Sequence, residues 1–309
     1  MDAQMPFEGE IPLRRRAIVT GNFDGCHLGH RALFNTLKER ASEKGLDPLV
    51  VSFTPHTHLF LSPHSPYKLL TSDQEKRELL MKYYGLPLLL LPFNQQLREM
   101  SREEYLQKIV REKLGASYWL MGANHRFGLG GAGDFQTISK VAHSVGVELE
   151  RLDLVESGAE VVSSSRIRSL ISEGRMQEVK ELLGYSYRVS GVVGPGAKRG
   201  REIGFPTANV TWEHPEKQLP PDGVLVGWVH LRGEKHAAVA FLGSNLTFGE
   251  SQRRLEVHLL DWAGDLYGER LVFSIAGWLR RTVAFSSADE LKNQIQRDIV
   301  QAKQFLFPK

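Results

Sequence analysis

The first half of the chain alternates short apolar runs with longer amphipathic segments. The apolar runs predict strands at residues 16–20, 48–53, 87–91, 118–121 and 148–152. The amphipathic segments predict helices at residues 29–44, 72–84, 102–114 and 135–145. Because helices that alternate with strands form crossover connections, this pattern predicts an α/β domain with a parallel sheet. Ligands of such sheets bind at the carboxyl ends of the strands.

From about residue 184 the apolar positions recur with period two instead. After a loop and two short helices over 163–183, this alternation predicts strands at residues 187–193, 224–231, 236–242, 255–261 and 270–279. We expect a small antiparallel barrel, with a last amphipathic helix at 287–305 packed against it. The change of pattern places the domain boundary between residues 185 and 186, giving domains 1–185 and 186–309.

The composition is typical of a globular protein with two ordinary domains. The chain has 309 residues, of which 41% are hydrophobic and 24% are charged. The most apolar run, residues 86–93, is too short to span a membrane. The N-terminus lacks the apolar core of a signal peptide, so we expect a cytoplasmic protein with no membrane partner. The formal net charge of +3 is mild and gives no reason to expect nucleic acid.

The first predicted strand leads into a glycine-rich turn, Gly21–His30, with the sequence GNFDGCHLGH. Backbone N–H groups and the positive end of the following helix favour an anion there. The imidazoles of His27 and His30 can donate hydrogen bonds to phosphate oxygens. The alternative for two such histidines is half of a metal site, but no acidic or thiolate cluster accompanies them, and Cys26 is the only cysteine. We therefore predict a polyphosphate site for nucleotidyl transfer from ATP.

The pattern Gly-x-Phe-Asp-Gly-x-His-x-Gly-His resembles the site of bacterial bifunctional riboflavin kinase/FMN adenylyltransferases, the FAD synthetases. The resemblance extends from about residue 18 to residue 298. It implies a Rossmann-like nucleotidylyltransferase domain followed by a small antiparallel β-barrel riboflavin kinase domain with a terminal helix. It also implies riboflavin, FMN and ATP as substrates, Mg²⁺ as cofactor, FAD as product, and a monomer or weak homo-oligomer.

Two further segments extend the adenylyltransferase site by this resemblance. Residues 163–168, SSSRIR, resemble the family signature Ser-Ser-Thr-x-x-Arg, with serine at the threonine position. Residues 122–128, GANHRFG, depart from the aspartate and phenylalanine that the family usually carries there, and a glycine-rich stretch follows that we interpret as a flexible binding loop. The residues expected to bind ATP in this domain are Gly21, Phe23, Asp24, Gly29, Asn124, Ser164, Ser165 and Arg168, with His27 and His30 as the catalytic pair.

The end of the second predicted strand resembles the flavin-side loop of the family. Residues 53–58, FTPHTH, match Phe-x-Pro-His-Pro except that Thr57 replaces the second proline. Phe53 and Phe60 can stack on an isoalloxazine ring, and the alternative is that both are core aromatics. The residues expected to bind flavin across the two domains are Phe53, His56, Phe60 and Arg280.

The strongest signal of the second half is GREIGFPTAN at residues 200–209. The Thr207 hydroxyl can bind Mg²⁺, and the Asn209 carboxamide can bind the metal or the phosphates. The upstream loop 194–200, GPGAKRG, resembles the nucleotide flap of the family and is not a Walker A loop, because Gly-Lys-Ser/Thr is absent. The residues expected to bind ATP in the barrel domain are Gly196, Lys198 and Gly204.

Glu256 lies in the predicted strand LEVHLLD, on one face with His258 and Leu260. A carboxylate in a strand rich in β-forming residues is costly unless it has a partner or a task. The resemblance makes Glu256 the general base that takes the proton of the terminal hydroxyl of riboflavin. The alternative is a glutamate that faces solvent.

Three positions of the barrel domain depart from the family pattern. Leu225, Phe241 and Leu246 stand where tyrosine, asparagine and proline are usual. They motivate the alternative of an FMN adenylyltransferase alone, with a weakly active or inactive kinase-like barrel that binds flavin. A non-catalytic flavin sensor is a further hypothesis, but a sensor would not need Glu256 and both histidines. An adenylyltransferase for a different phosphorylated acceptor is the last hypothesis, and such an enzyme would not need the barrel.

Overall fold

Residues 14–123, 125–152, 156–157, 160–196, 200, 203–244 and 253–308 are described by the structure, which is a computed structural model. Their contacts divide the chain into two units. Unit 1 takes in the described residues up to Tyr67 together with Asp73–Val162, and unit 2 takes in Lys68–Ser72 together with the described residues from Ser163 onwards. The two short helices before residue 185 thus group with the barrel, and the boundary between residues 185 and 186 remains a proposal about the functional modules.

Unit 1 is built on a five-stranded parallel sheet with the order β3-β2-β1-β4-β5. The strands are β1 Arg16–Thr20, β2 Asp47–Thr54, β3 Leu88–Pro92, β4 Ala116–Gly122 and β5 Glu148–Leu152. Every residue of the central strand β1 is buried, as expected for a strand covered on both faces. The predicted parallel α/β domain is confirmed. A short antiparallel pair, β6 Glu156–Ser157 and β7 Glu160–Val161, was not predicted.

The helices of unit 1 begin and end at local signals. They are α1 Leu28–Lys44, α2 Thr57–Leu61, α3 Asp73–Tyr84, α4 Gln95–Glu99, α5 Arg102–Glu104 and α6 Phe135–Ser144. Gly45 ends α1 with a φ of 62°, which favours glycine. Ser101 and Asp134 form capping boxes with Glu104 and Thr137 at the starts of α5 and α6. The sequence missed α2 and α4 because five residues show no helical period.

The segment predicted as a helix over residues 102–114 changes character after α5. Tyr105–Lys113 forms a π-helix, a widened form that is rare and occurs often at functional sites. Its buried face contributes Tyr105, Leu106 and Ile109 to the hydrophobic core of unit 1.

Unit 2 combines two helices with a closed antiparallel barrel. The helices are α7 Ser164–Ser172 and α8 Met176–Leu183. The strands are β8 Arg188–Gly194, β9 Ala208–Trp212, β10 Gly223–Leu231, β11 Glu234–Gly243, β12 Arg254–Leu259 and β13 Arg270–Arg281. Their order around the barrel is β10-β11-β12-β9-β8-β13. The predicted barrel is confirmed, although five strands were predicted and β9 was missed.

The last helix, α9 Ala288–Leu306, packs against the barrel as predicted. Its Ala302 belongs to a buried cluster with Val224, Val226 and Val239. This contact explains why the helix carries apolar residues on one face. In the part of the chain that the structure describes, no helix has both the length and the hydropathy needed to cross a membrane.

Candidate active sites

The turn after β1 has an unusual backbone that places His27 at the start of α1. Phe23 and Cys26 have positive φ values of 46° and 40°, which residues with a Cβ rarely adopt. The Cys26 backbone N–H donates to the Phe23 carbonyl at 3.0 Å, and the Gly21 N–H donates to the Val51 carbonyl at 3.1 Å. His27 then occupies the N-cap position of α1. Strained backbone held by surrounding hydrogen bonds is common at functional sites.

The two imidazoles at this helix start stack on each other. The ring centroids of His27 and His30 are 3.7 Å apart, and the ring planes are 17° from parallel. His27 is 4% exposed, and His30 Nδ1 is buried with no hydrogen-bond partner among the described residues. Burial, with smaller effects of the charges of His27 and Lys76, holds the pKa of His30 well below its usual range. His30 is therefore neutral at pH 7 in the free protein.

Close packing around Gly29 fixes the position of the His27 ring. A Cβ on Gly29 would lie 2.8 Å from the Val162 carbonyl oxygen and 3.0 Å from the His27 ring. Asp24, in the same turn, is 3% exposed. The structure thus brings together with the histidine pair four predicted ATP-binding residues, Gly21, Phe23, Asp24 and Gly29.

Side chains of β2 and of the loop after it bind the histidine turn directly. Asn22 Nδ2 donates to Thr57 Oγ1 at 2.8 Å, and Ser52 Oγ donates to the Asn22 carbonyl at 3.1 Å. Lys76 Nζ in turn donates to Ser52 Oγ at 3.0 Å. Thr57 is the residue that departs from the family's second proline, and its hydroxyl holds the turn. The predicted flavin-side loop is therefore adjacent to the predicted polyphosphate site.

The flavin candidates of unit 1 occupy different environments. Phe53 is 8% exposed and belongs to the hydrophobic core, with its ring centroid 5.7 Å from that of Phe93. Phe60 is half-buried and packs edge-on against Phe93 at 5.3 Å. His56 Nδ1 accepts a hydrogen bond from the His58 backbone N–H at 3.1 Å and so caps α2. Of the three, Phe60 has the ring that can face a ligand.

Asn124 lies outside the described residues, but its neighbour His125 has a defined arrangement. The His125 Nε2 and Thr20 Oγ1 atoms are 2.8 Å apart, and Trp119 Nε1 donates to the same hydroxyl at 3.1 Å. Thr20 is 3% exposed, so its hydroxyl proton needs an acceptor, and we assign it to His125 Nε2. Burial lowers the pKa of His125 to about 4, which agrees with a neutral ring protonated at Nδ1. Sequence reasoning missed this residue.

Tyr105, the first residue of the π-helix, is a second group that the sequence did not single out. It is 3% exposed, and its hydroxyl is buried with no partner among the described residues. Burial raises the pKa of this hydroxyl. The Tyr105 ring centroid lies 5.3 Å from that of Phe127 and 6.0 Å from that of Trp119. The three rings belong to the hydrophobic core of unit 1, so Tyr105 is a core residue whose polar atom is left unsatisfied by the described residues.

The serine-rich segment begins α7 in unit 2. Ser163 is the N-cap, and its Oγ accepts a hydrogen bond from the Arg166 backbone N–H at 3.3 Å. Arg168 Nε donates to the Lys68 carbonyl at 2.6 Å. Three predicted ATP-binding residues, Ser164, Ser165 and Arg168, thus share one helix start, and their contact with ATP remains a prediction.

The predicted metal ligands and base of the barrel lie on neighbouring strands or next to them. Glu256 of β12 pairs with Asn209 of β9 in antiparallel register. The Thr207 hydroxyl donates to Glu256 Oε2 at 3.5 Å. A Cβ on Gly196 would overlap the Asn209 carboxamide, and one on Gly200 would lie 3.3 Å from Thr207 Oγ1. The predicted flap therefore meets the predicted metal ligands and base at one place.

Two cavities meet at Thr207. The larger, with a volume of about 580 Å³, has mostly apolar walls and is lined by Glu256 and His258 of β12. Val257 and Leu259, which alternate with them along the strand, line a smaller cavity. The two cavities thus lie on the two faces of β12, and Thr207 lines both. Thr207 therefore lies at the boundary between the two cavities.

Arg280 lines the larger cavity, but its polar edge is already engaged. Its Nε and Nη2 donate to the two carboxylate oxygens of Asp298 at 2.8 and 2.7 Å, and its Nη1 donates to the Arg281 carbonyl at 3.0 Å. Asp298 is 2% exposed and also accepts a hydrogen bond from Gln294 at 2.9 Å. The ion pair joins α9 to β13, and contact of the planar guanidinium face with a flavin remains a prediction.

The structure describes some of the remaining predicted positions of the barrel and not others. Lys198 and Leu246 lie outside the described residues. Gly204 has a φ of 91°, which favours glycine. Leu225 is fully buried in β10, and Phe241 lines the larger cavity. Of the positions that depart from the family pattern, Leu225 thus lies in the core, and Phe241 forms part of the apolar wall of the larger cavity.

The fold and the two sites define a nucleotide-dependent transferase with one site in an α/β unit and another in a β-barrel. The FAD synthetase family model matches residues 11–166, and the riboflavin kinase family model matches residues 183–306. The chain belongs to the bifunctional riboflavin kinase/FMN adenylyltransferase family.

Curated relatives match the chain over nearly its whole length. The bifunctional riboflavin kinase/FMN adenylyltransferase of Pseudomonas fluorescens is 34% identical over 301 residues, which cover 96% of this chain and 95% of the relative. The enzyme of the same name from Escherichia coli strain K12 is 32% identical over 305 residues, which cover 98% and 95%. A crystal structure described as a macrolide-efflux protein from Streptococcus pneumoniae superposes with a TM-score of 0.81 at 29% identity, covering 95% of each chain.

Proposed function

We propose that this protein is a bifunctional enzyme of FAD biosynthesis. It phosphorylates riboflavin with ATP to give FMN and ADP, and it adenylylates FMN with a second ATP to give FAD and pyrophosphate. The observation that supports this most directly is the position of Thr207 and Glu256 beside two cavities, with a separate imidazole pair in unit 1. An adenylyltransferase without kinase activity is less well supported, because Thr207, Asn209 and Glu256, the residues expected to carry out phosphorylation, lie next to one another in the barrel.

In the barrel, the flavin occupies the larger apolar cavity and ATP approaches from the smaller one. Glu256 accepts the proton of the terminal hydroxyl of riboflavin while that oxygen bonds to the γ-phosphorus and ADP leaves. The oxygens of Thr207 and Asn209 would hold Mg²⁺, which binds few protein ligands and completes its shell with phosphate and water. When bound there, Mg²⁺ would neutralise negative charge on the transferred phosphoryl group.

In unit 1, the backbone of the histidine turn and the imidazoles of His27 and His30 bind the triphosphate of the second ATP. A phosphate oxygen of FMN bonds to the α-phosphorus, and the bond from that phosphorus to the pyrophosphate oxygen breaks. Because a bound triphosphate is negatively charged, it favours protonation of the neutral His30 ring and so raises its pKa. The pair then stabilises the charge that develops on pyrophosphate.

Composition and charge support the remaining parts of the proposal. The mild net charge of +3 agrees with small-molecule substrates in place of nucleic acid. We infer a cytoplasmic enzyme without a membrane partner, present as a monomer or weak homo-oligomer.

Product analysis by chromatography tests the two activities separately. With riboflavin and Mg-ATP, the parent protein should form FMN and then FAD, and with FMN it should form FAD. Glu256→Ala should lose FMN formation and retain FAD formation from supplied FMN. His30→Ala should retain FMN formation and lose FAD formation. Its loss of transition-state stabilisation for adenylylation should be about 2–4 kcal/mol. Loss of both activities in either variant, with the fold intact, would contradict two separate sites.

A further inference from the structure

A buried lysine lies behind the histidine turn. The side chain of Lys76, on α3, is 2% exposed. Its Nζ donates to Ser52 Oγ at 3.0 Å, and the nearest carboxylate oxygen, of Asp73, is 3.9 Å away. An ammonium group has three donors, and burying one with a single short hydrogen bond and a long ion pair is costly. Such a cost points to a task at this position.

Ser52 connects this lysine to the histidine turn. Ser52 is fully buried, and its Oγ lies within hydrogen-bond distance of both Lys76 Nζ and the Asn22 carbonyl. Because an ammonium can only donate and a carbonyl can only accept, the serine proton must point at Asn22. Lys76 therefore fixes the direction of the hydrogen bond that holds Asn22, five residues before His27.

The positive charge of Lys76 also disfavours protonation of His30. After burial and the effect of His27, the charge of Lys76 is the third cause that lowers the pKa of His30. Other titratable groups in this part of unit 1 are Asp24 and Cys26 of the turn and Glu75 and Tyr84 of α3. Burial raises the pKa of Tyr84 to about 12, so this group is neutral near pH 7.

We propose that Lys76 is a positioning residue of the adenylyl-transfer site, which orients Ser52 and through it the histidine turn and presents a fixed positive charge to the imidazole pair. The proposal rests on the adenylyltransferase activity proposed above.

Four variants of the full chain test it. Lys76→Met removes the charge, Lys76→Arg keeps it, and Ser52→Ala removes only the connection to Asn22. Lys82→Met, at an exposed position of the same helix, is the matched control. The His30 titration is followed by NMR without nucleotide, with the signal assigned by its loss in His30→Gln. FAD formation from FMN and phosphorylation of riboflavin are measured on the same preparations.

We expect Lys76→Met to move the titration midpoint of His30 upward and to lower kcat/KM for FMN adenylylation about tenfold or more, with riboflavin phosphorylation unchanged. Lys76→Arg should restore most of the adenylylation. Ser52→Ala should lower adenylylation while the His30 midpoint stays close to that of the parent, because the cation remains. Lys82→Met should change neither.

An unchanged His30 midpoint together with unchanged adenylylation in Lys76→Met would overturn the proposal. If Lys76→Met fails to fold, parental adenylylation by Ser52→Ala would overturn it instead. If the parent itself forms no FAD, the proposed function fails, whereas the His30 titration still reports whether Lys76 acts on the imidazole pair.

Discussion

Replacing Gly29 by alanine tests whether the His27 ring must stay where the structure has it. The new Cβ would lie 2.8 Å from the Val162 carbonyl oxygen and 3.0 Å from the His27 ring, inside the roughly 3.5 Å at which carbon contacts become favourable. Alanine favours the helix over glycine by up to about 1 kcal/mol. Relief of the overlap costs about 1–3 kcal/mol. The net loss in the free energy of unfolding should therefore lie between about 0 and 3 kcal/mol.

The effect on catalysis should be much larger. If the overlap turns the His27 ring away, one donor to the triphosphate is lost, which should lower kcat/KM for FMN adenylylation by about 100-fold to 1000-fold. Chromatography of FAD formed from FMN and ATP measures this loss, and riboflavin phosphorylation by the same sample serves as the internal reference. That second activity should be unchanged.

Gly45→Ala is the control at the other end of α1. Gly45 has a φ of 62°, but a Cβ there meets nothing within 4 Å. The variant should lose about 1 kcal/mol of stability and keep adenylylation. If Gly29→Ala adenylylates FMN within about threefold of the parent, the fixed imidazole position is not required and the reasoning is refuted.

Two further substitutions test the barrel. Gly196→Ala puts a Cβ into the Asn209 carboxamide. We therefore expect riboflavin phosphorylation to fall about tenfold or more while FMN adenylylation persists. A variant that phosphorylates riboflavin as fast as the parent would contradict the contact. Asp298→Asn leaves the Arg280 guanidinium without its counter-charge in a partly buried pair, so we expect about 3 kcal/mol less free energy of unfolding in urea. An unchanged unfolding midpoint would show that this ion pair does not stabilise the barrel.

Local sequence patterns were sufficient for most of the architecture. In unit 1, the sequence pattern predicted all five strands of the sheet. The buried strands read as continuous hydrophobic stretches, whereas the edge strand β5, ELERL, mixes leucine with charged residues. The prediction missed β9, which alternates apolar and polar residues but is only five residues long and directly follows the Pro-Thr motif. Its place between β8 and β12 depends on closure of the barrel, which is a long-range property that local propensity does not encode.

The candidate sites divide in the same way. Residues of the histidine turn and of the Pro-Thr-Ala-Asn motif could be singled out because their chemistry is concentrated in a few consecutive positions. Lys76, Tyr105 and His125 could not, because each is an isolated residue whose role arises from packing. A lysine in an amphipathic helix is normally solvated, and only the structure shows this one buried beside Ser52. The sequence likewise does not show that the Arg280 guanidinium donates its hydrogen bonds to Asp298, 18 positions further along the chain.

The claim that the chain binds ATP at two separate sites is tested most directly by calorimetric titration of the full chain with Mg-ATP in the absence of flavin. We expect binding at two sites per chain, with His30→Ala removing one and Gly196→Ala removing the other. A single binding site that both variants abolish would contradict the claim.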